Sequence, residues 1–442
     1  MHRQVDVADL KLNPLTKQEL LSLIEERIRE NKKTFLTTLY SEFLYHSLRD
    51  REVRGMLNKA DIAIADGIGV IWAEYFLSRP FSFSGYYLKI VQAWWQVVYT
   101  GASILLSPKS LYRVFPEKIV GADLFWDLAS LANENNYSLY LLGGYGDTTQ
   151  RVKEKLLVKF PTLNIVGASN KSPNETGTIV EDIKNTKPDM LLVAFSSITQ
   201  ERWIVQHFSD LPIKFAVGLG GTFDYVTGKR LQPPKFVRSL GLEWFYRLFT
   251  QPHRIVRIYQ AFWGLILSLV RYKVFMNSGF RKNAAAVVID KENKILIVKR
   301  NPHDPYLIST GDASSKKFNN YWQFPRGGVD GIETYQQAAK RELWEEVGLS
   351  DVEFMSLAPE TTSYEWNNAK RPLLGNVYKH KGQEQHIVFF KYLGDSSEIK
   401  LDNRELVDYM WVDIGDLNSI FNPELHSVVQ IVEKYCPSQK TA

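Results

Sequence analysis

The sequence predicts an α/β protein in two parts, a parallel-sheet domain followed by an α+β domain with a β-rich core. Three observations predict it. Between residues 34 and 223, short apolar runs alternate with helix-like segments, and several runs end in Gly or Asp, as at Asp66-Gly67, Gly143-Gly144 and Gly220-Gly221. Beyond residue 283 the pattern changes to closely spaced β-like runs around one acidic helical segment. Finally, 442 residues with 45% apolar and 23% charged side chains are globular in composition and too many for one ordinary core.

In the first part, strands are expected at 34–39, 61–65, 138–142, 164–166, 190–195 and 214–219. Strands that run into glycine turns before helices put a ligand at their carboxyl ends. None of the turns is a full G-x-G-x-x-G, so they do not specify a dinucleotide. Asp66, at a strand end and followed by Gly67-Ile68-Gly69, is either a catalytic base or a helix N-cap. The expected divisions are a domain over 1–275, a linker over 276–283 and a second domain over 284–437. The second domain has strands at 284–290, 294–300, 321–324, 386–393 and 409–414.

Cys436 is the only cysteine, which excludes a disulfide framework and a cysteine-based zinc site and suits a reducing cytoplasm. The first thirty residues are charged throughout and lack the apolar run of a secretory signal. The net charge of +5 is concentrated: residues 229–273 hold nine Lys/Arg against Glu243 alone, interleaved with aromatic residues. Such a segment suits an anionic membrane surface or the phosphates of a lipid-linked substrate, or else a solvated helical face over a core stripe. No nucleic-acid-binding motif accompanies it. Residues 90–108 form a charge-free run of 19 residues, diluted by Gln92, Gln96, Thr100, Ser103 and Ser107. A buried or interfacial helix is expected there rather than a membrane span. Residues 258–270 are too short to span and read as an amphipathic or partly inserted interfacial helix.

One motif is sharp. Gly327 is followed after five residues by Glu333, then after seven more by Arg341-Glu342-Leu343-Trp344-Glu345-Glu346-Val347-Gly348-Leu349. At roughly one in twenty per letter, seven fixed letters coincide by chance well below about one in a million. With residues 334–347 helical, Glu342, Glu345 and Glu346 stand at i, i+3 and i+4 on one face. Carboxylates crowded in this way repel one another unless hard, oxygen-seeking cations such as Mg²⁺ or Mn²⁺ lie among them. Such ions would neutralise charge developing on a diphosphate. Ala338 and Leu343 lie away from the acids, and Gly348 is placed to end the helix.

This motif, with the preceding Trp322-Gln323-Phe324-Pro325, resembles the Nudix hydrolase family over about 155 residues. Within it the chain is most similar to RNA pyrophosphohydrolases and dinucleoside tetraphosphate hydrolases. The resemblance implies Glu342, Glu345, Glu346 and Glu405 as metal ligands, with Glu346 or a neighbour activating water. It also implies a structural pair between Glu333 and Arg341, and a nucleotide or capped or 5′-triphosphorylated RNA as substrate. The spacing of 378–385 and the loop 301–320 depart from the family's nearer members, which leaves the substrate open.

In the first part, several segments resemble the WecG/TagA/CpsF glycosyltransferases over about residues 10–260. They are Ala60-Asp61-Ile-Ala-Ile-Ala-Asp66-Gly67, Val120-Gly121-Ala122-Asp123, Leu141-Leu142-Gly143-Gly144, Gln200-Glu201-Arg202-Trp203, Gly218-Leu-Gly220-Gly221 and Gly241-Leu242-Glu243-Trp244. The resemblance implies a Rossmann-like sheet and inverting, metal-independent transfer of a sugar from a UDP-sugar donor. The donor would be of N-acetylmannosamine type and the acceptor a lipid-linked pyrophosphate sugar at the membrane. It further implies Asp66 as general base and Thr38 beside the donor. Gly143, Gly144, Gln200, Glu201, Gly220 and Gly221 would line the nucleotide site, and Arg247, Arg254 and Arg257 would meet pyrophosphate. Three departures stand out: Tyr40-Ser41 replaces the family's Asn-Pro, Ser196 to Thr199 replaces its Gly-x-Pro, and about 30 residues are inserted near 82–109.

Together these readings predict a bifunctional, multidomain enzyme, cytoplasmic and held at the inner face of the cell membrane, with a homo-oligomer left open. A second reading keeps only the hydrolase active and makes the first domain a nucleotide-binding or membrane-docking module. A third makes the Nudix domain a nucleotide sensor, against which the intact carboxylate cluster argues.

Overall fold

The computed structural model describes residues 3–231, 233–234, 237, 246, 256, 259–302, 321–366, 380–394, 399–401 and 404–437. The chain divides into two compact units, Met1–Val274 and Phe275–Ala442.

The first unit opens with a short antiparallel hairpin, β1 (Val5–Val7) and β2 (Leu10–Leu12), that sequence reading had not separated from its surroundings. Its main sheet has six strands: β3 (Thr34–Leu39), β4 (Ile62–Ala65), β5 (Leu139–Gly143), β6 (Ile165–Ser169), β7 (Met190–Ala194) and β8 (Phe215–Gly218). They run parallel in the order β4-β3-β8-β7-β5-β6. Successive side chains feed opposite faces. Leu36, Leu141, Leu192 and Val217 enter one apolar cluster, while Phe35, Leu142, Val193 and Ala216 enter another. That is why the strands other than the edge strand β6 are near-continuous apolar runs: both their faces are covered. The sheet order puts the ends of β4, β3, β8, β7 and β5 side by side, and their glycine turns form one carboxyl edge.

The helix Leu265–Met276 fits the amphipathic alternative for 258–270, with Trp263 just before it 55% exposed. Leu265, Ile266, Leu269 and Val270 form its buried stripe. No helix among the described residues is long and apolar enough to cross a membrane.

The second unit is built on a seven-stranded mixed sheet: β9 (Arg281–Ile289), β10 (Ile295–Arg300), β11 (Trp322–Gln323), β12 (Arg326–Gly328), β13 (Val352–Glu365), β14 (Gly382–Tyr392) and β15 (Leu406–Val412). The path runs β11-β10-β9-β14-β13, with β12 on β9 and β15 on β10. Alternation along β9 divides the core. Ala284, Ala286 and Val288 pack with the helix Tyr335–Val347, and Ala285, Val287 and Ile289 with the helix His426–Tyr435. Strands β12 and β13 were not anticipated. β12 is three residues of Arg-Gly-Gly, and β13 is a mostly exposed strand of mixed polar and apolar residues at the end of the sheet path.

Candidate active sites

In the first unit, Asp66 follows β4 directly and its backbone amide donates to the Leu39 carbonyl at 2.7 Å. It does not cap the next helix. The N-cap of Ile68–Leu77 is Gly67, at φ +110°, where glycine's lack of a Cβ matters. The Asp66 carboxylate turns instead to the start of the helix Gly121–Glu134 and accepts from the Gly121 amide at 3.3 Å. A helix N-terminus suits an anion, so this contact fixes the carboxylate at the sheet edge. Gly121 also marks how tight the spot is: a Cβ there would lie 3.1 Å from the Asp66 carboxylate and 3.8 Å from the Thr38 hydroxyl. Thr38 is buried near the end of β3, and its hydroxyl reaches toward the Gly218 carbonyl of β8 at 3.4 Å.

The turns after β5, β7 and β8 complete this edge. Gly143 (φ +102°) ends β5 and Gly144 (φ +82°) follows it, and the Gly144 amide donates to the Ala194 carbonyl at 3.0 Å. A Cβ on Gly143 would come within 2.6 Å of that same carbonyl oxygen, so the approach requires glycine. Beyond β7, Gln200 and Glu201 are buried: the Gln200 amide donates to Glu201 at 2.7 Å, and its oxygen accepts from the Gly220 amide at 2.8 Å. Burial pushes the Glu201 carboxyl up to about 7, with the Glu42 charge adding to the effect, against hydrogen bonds from Gln200 and the Ile198 amide. Ile198 holds φ +69°, a strained conformation for a β-branched residue.

Two departures from the family pattern meet in space. The Tyr40 hydroxyl, just past β3, hydrogen-bonds the Ser197 hydroxyl past β7, spanning the end of β8 that lies between those strands. The Tyr40 hydroxyl also donates to Glu42 at 3.4 Å. The two altered segments form one joined wall.

In the second unit, the helix Tyr335–Val347 begins with a capping box, in which Thr334 accepts from the Gln337 amide at 3.2 Å and Gln337 from the Thr334 amide at 2.9 Å. It ends on Gly348 at φ +72°. Ala338 and Leu343 are fully buried beneath it. Arg341 ties the loop to the helix through Glu333 at 2.9 and 3.1 Å and the Gly328 carbonyl at 2.8 Å. The same guanidinium reaches Glu342 at 2.7 Å and Glu345 at 3.1 Å, and it holds the Glu333 carboxyl down at about 2. Glu346 is 7% exposed and accepts from the Arg326 amide at 3.1 Å. Burial, then the carboxylates of Glu342 and Glu405, push it up to about 8. Burial also raises Glu342, with Glu345 and Glu405 contributing and Arg341 opposing.

Among the described residues, no three acidic, histidine or cysteine side chains are gathered closely enough to hold a metal ion as they stand. Glu342 and Glu345 are turned to Arg341. Even so, the donor set suits a hard divalent cation. It is all carboxylate, its most buried member, Glu346, is destabilised as an anion by burial and then by two like charges, and Gly327 leaves room for the Glu342 carboxylate. A Cβ on Gly327 would fall 1.8 Å from the Glu342 carboxyl carbon.

The family model described as "Glycosyl transferase WecG/TagA/CpsF family" matches residues 5–85 and 83–279, more than half of the chain. The chain belongs to that family. Among relatives of this WecG/TagA/CpsF protein is the N-acetylglucosaminyldiphosphoundecaprenol N-acetyl-β-D-mannosaminyltransferase of Bacillus subtilis. It is 26% identical over 237 residues, 54% of this chain and 76% of that one. The enzyme of the same name from Bacillus spizizenii is 24% identical over 61% of this chain and 87% of that one. The chain also carries a Nudix domain, with residues 279–430 matching the NUDIX domain model. A solved C. elegans Ap4A hydrolase binary complex is 20% identical, covering 36% of this chain and 98% of that one with a TM-score of 0.26.

Of the residues singled out in the WecG/TagA/CpsF domain, Thr38, Asp66, Gly143, Gly144, Gln200, Glu201, Gly220 and Gly221 all lie along one carboxyl edge. Arg247, Arg254 and Arg257 lie outside the described residues, as do 378 and 379. In the Nudix domain, Glu342, Glu346 and Glu405 are near enough to perturb one another's charge. Sequence reasoning did not single out Gly121, whose amide holds Asp66, nor the Arg326 amide, which holds Glu346. A backbone donor leaves no residue-type signal. The only hint for Gly121 was its place in the Val120-Gly121-Ala122-Asp123 segment.

Proposed function

We propose that the chain is a bifunctional enzyme at the inner face of the cell membrane. Its first unit transfers an N-acetylmannosamine-type sugar from a UDP-sugar to a lipid-pyrophosphate-linked acceptor in cell-surface polysaccharide synthesis. Its second hydrolyses a nucleoside-diphosphate-linked substrate, of dinucleoside polyphosphate or 5′-triphosphate RNA type. The observation that carries the transferase reading is the meeting of Asp66, Thr38 and the Gly121 amide at one point of the sheet edge. The relatives' names supply the substrate class.

In this reading the Asp66 carboxylate takes the proton of the acceptor hydroxyl as that oxygen bonds to the anomeric carbon. The bond from that carbon to UDP breaks, UDP leaves with the electron pair, and the configuration inverts. Gln200, Glu201 and the turns at 143–144 and 220–221 hold the nucleotide, while Arg247, Arg254 and Arg257 meet pyrophosphate charge. No metal has a role in this unit.

In the second unit, Glu342, Glu345, Glu346 and Glu405 would hold Mg²⁺ or Mn²⁺, which would neutralise charge on the diphosphate. Arg341 and Glu333 keep the end of β12, with Gly327 and Gly328, against the helix. Glu346 or a neighbouring carboxylate takes the proton of the attacking water as its oxygen bonds to one phosphorus of the diphosphate. The bond from that phosphorus to the bridging oxygen breaks, and the departing phosphate group carries away the electron pair. The test is direct: full-length protein should release UDP from UDP-N-acetylmannosamine with a short-chain diphospholipid acceptor, and cleave diadenosine tetraphosphate or 5′-triphosphorylated RNA when Mg²⁺ is added. Folded protein that does neither overturns the reading.

A further inference from the structure

The helix Tyr86–Leu106 is built inside out. Its 21 residues, about 32 Å of helix, carry one stripe of polar side chains and one of large apolar ones. The polar stripe faces the protein. Gln96, Thr100 and Ser103 are buried, and they are satisfied there. Gln96 donates to the Pro80 carbonyl at 2.9 Å, Thr100 accepts from the Trp72 indole at 3.0 Å, and Ser103 donates to the Tyr99 carbonyl at 3.1 Å. Lys273, itself buried, donates to Gln96 at 2.5 Å and ties this helix to Leu265–Met276. The apolar stripe faces outward: Leu88, Val91, Trp95, Val98, Leu105 and Leu106 follow helical spacing, with Trp95 69% and Leu106 84% exposed.

A helix in water turns its polar side outward, and hydrogen-bonded polar groups on the inner side pin this one the other way round. Its charges favour one kind of cover. Between Glu74 and Glu117 the chain carries Arg79, Lys89, Lys109 and Arg113 and no acidic residue. Trp94, Trp95, Tyr87 and Tyr99 supply amphipathic rings of the type that settle at a lipid–water boundary. The two segments matched by the family model meet at 83–85, where this helix begins.

We infer that Tyr86–Leu106 is an in-plane membrane anchor, laying its Leu88–Leu106 stripe into the headgroup region of an anionic bilayer while Gln96, Thr100 and Ser103 stay on the protein side. The inference deepens the transferase reading, since it brings the first unit to the surface where a lipid-linked acceptor resides. It explains why a run of this hydropathy carries Gln96, Thr100 and Ser103: they are its inner face.

The experiment is co-sedimentation of the full chain with vesicles of phosphatidylcholine containing phosphatidylglycerol, comparing wild type with Trp95→Glu/Val98→Glu. Both positions are exposed, so the fold should survive, which circular dichroism melting checks. The variant should lose more than about tenfold in vesicle partitioning. Lys109→Gln/Arg113→Gln should lose about fivefold per cation, on anionic vesicles only. Wild type that stays in the supernatant, or a charged variant that pellets like wild type, overturns the inference. So does a wild-type dimer in sedimentation equilibrium that the variant dissociates, because the stripe would then be covered by a second copy. UDP release onto a water-soluble short-chain acceptor separates the two claims. Its absence from both proteins counts against the transferase reading, while the vesicle result still decides the anchor.

Discussion

The first unit collects its candidate side chains from the ends of five parallel strands, from Thr38 on β3 to Gly221 beyond β8. The second takes three of its four candidate carboxylates from five consecutive residues of one helix, Glu342 to Glu346. The difference lies in what holds each site rigid. In the sheet unit, position depends on long-range pairing and on backbone groups such as the Gly121 and Gly220 amides. In the helix unit, local geometry aligns the acids, and tertiary structure adds burial, the Arg341 clamp and the distant Glu405. The sheet site should therefore be sensitive to changes in its backbone turns, and the helix site to changes in charge.

The largest expected effect is on the helix site. Glu346→Gln should lower Mg²⁺-dependent hydrolysis of diadenosine tetraphosphate about 10³-fold and leave UDP release unchanged. Loss of both activities would mean that the two units do not work independently. Asp66→Asn should lower UDP release by about 10²–10³-fold with hydrolysis intact, because it removes a proton acceptor while keeping the contact with the Gly121 amide. A variant that loses less than tenfold would return Asp66 to a structural role.

Next comes the pH dependence of the first unit. Glu201 has its folded pKa raised to about 7 by burial, so its contribution to stability is fully present below about pH 4.5 and is lost as pH rises toward 7. The full swing is on the order of 3 kcal/mol. Thermal melts of Glu201→Gln should lose this slope between pH 5 and 8, and an unchanged slope would place its origin elsewhere. Gly143→Ala should destabilise the first unit by about 1–3 kcal/mol, since the new Cβ meets the Ala194 carbonyl at a positive φ. Denaturant unfolding would measure it. The smallest effect is that of Tyr40→Phe, which removes the hydrogen bond to Ser197. A few-fold rise in donor KM with little change in kcat is expected, corresponding to about 1 kcal/mol.

Legibility in the sequence followed the same division. The helix Tyr335–Val347, its buried Ala338 and Leu343 and its Gly348 terminus could be read from spacing, because a helix relates neighbours three and four apart. Five of the six parallel strands were legible as apolar runs because both their faces are buried, β6 being a half-buried edge. β13 was not, since it ends the sheet path, is exposed at most positions with no apolar alternation, and carries Pro359 within it. β12 was missed because Arg-Gly-Gly pairs with β9 through its backbone alone, without a side-chain pattern.

By itself, then, the sequence determined two units, the parallel sheet of one and the acidic helix of the other, since these rest on periodicity and on spacing along the chain. Tertiary structure decided the direction in which ambiguous groups point. It turned Asp66 away from capping its own helix and toward Gly121, joined Tyr40 to Ser197, and buried the apolar stripe of Leu265–Met276 while leaving that of Tyr86–Leu106 outside. Both helices are apolar runs in one dimension. Only the positions of hydrogen-bonding partners such as Pro80, Trp72 and Lys273 select which face turns inward.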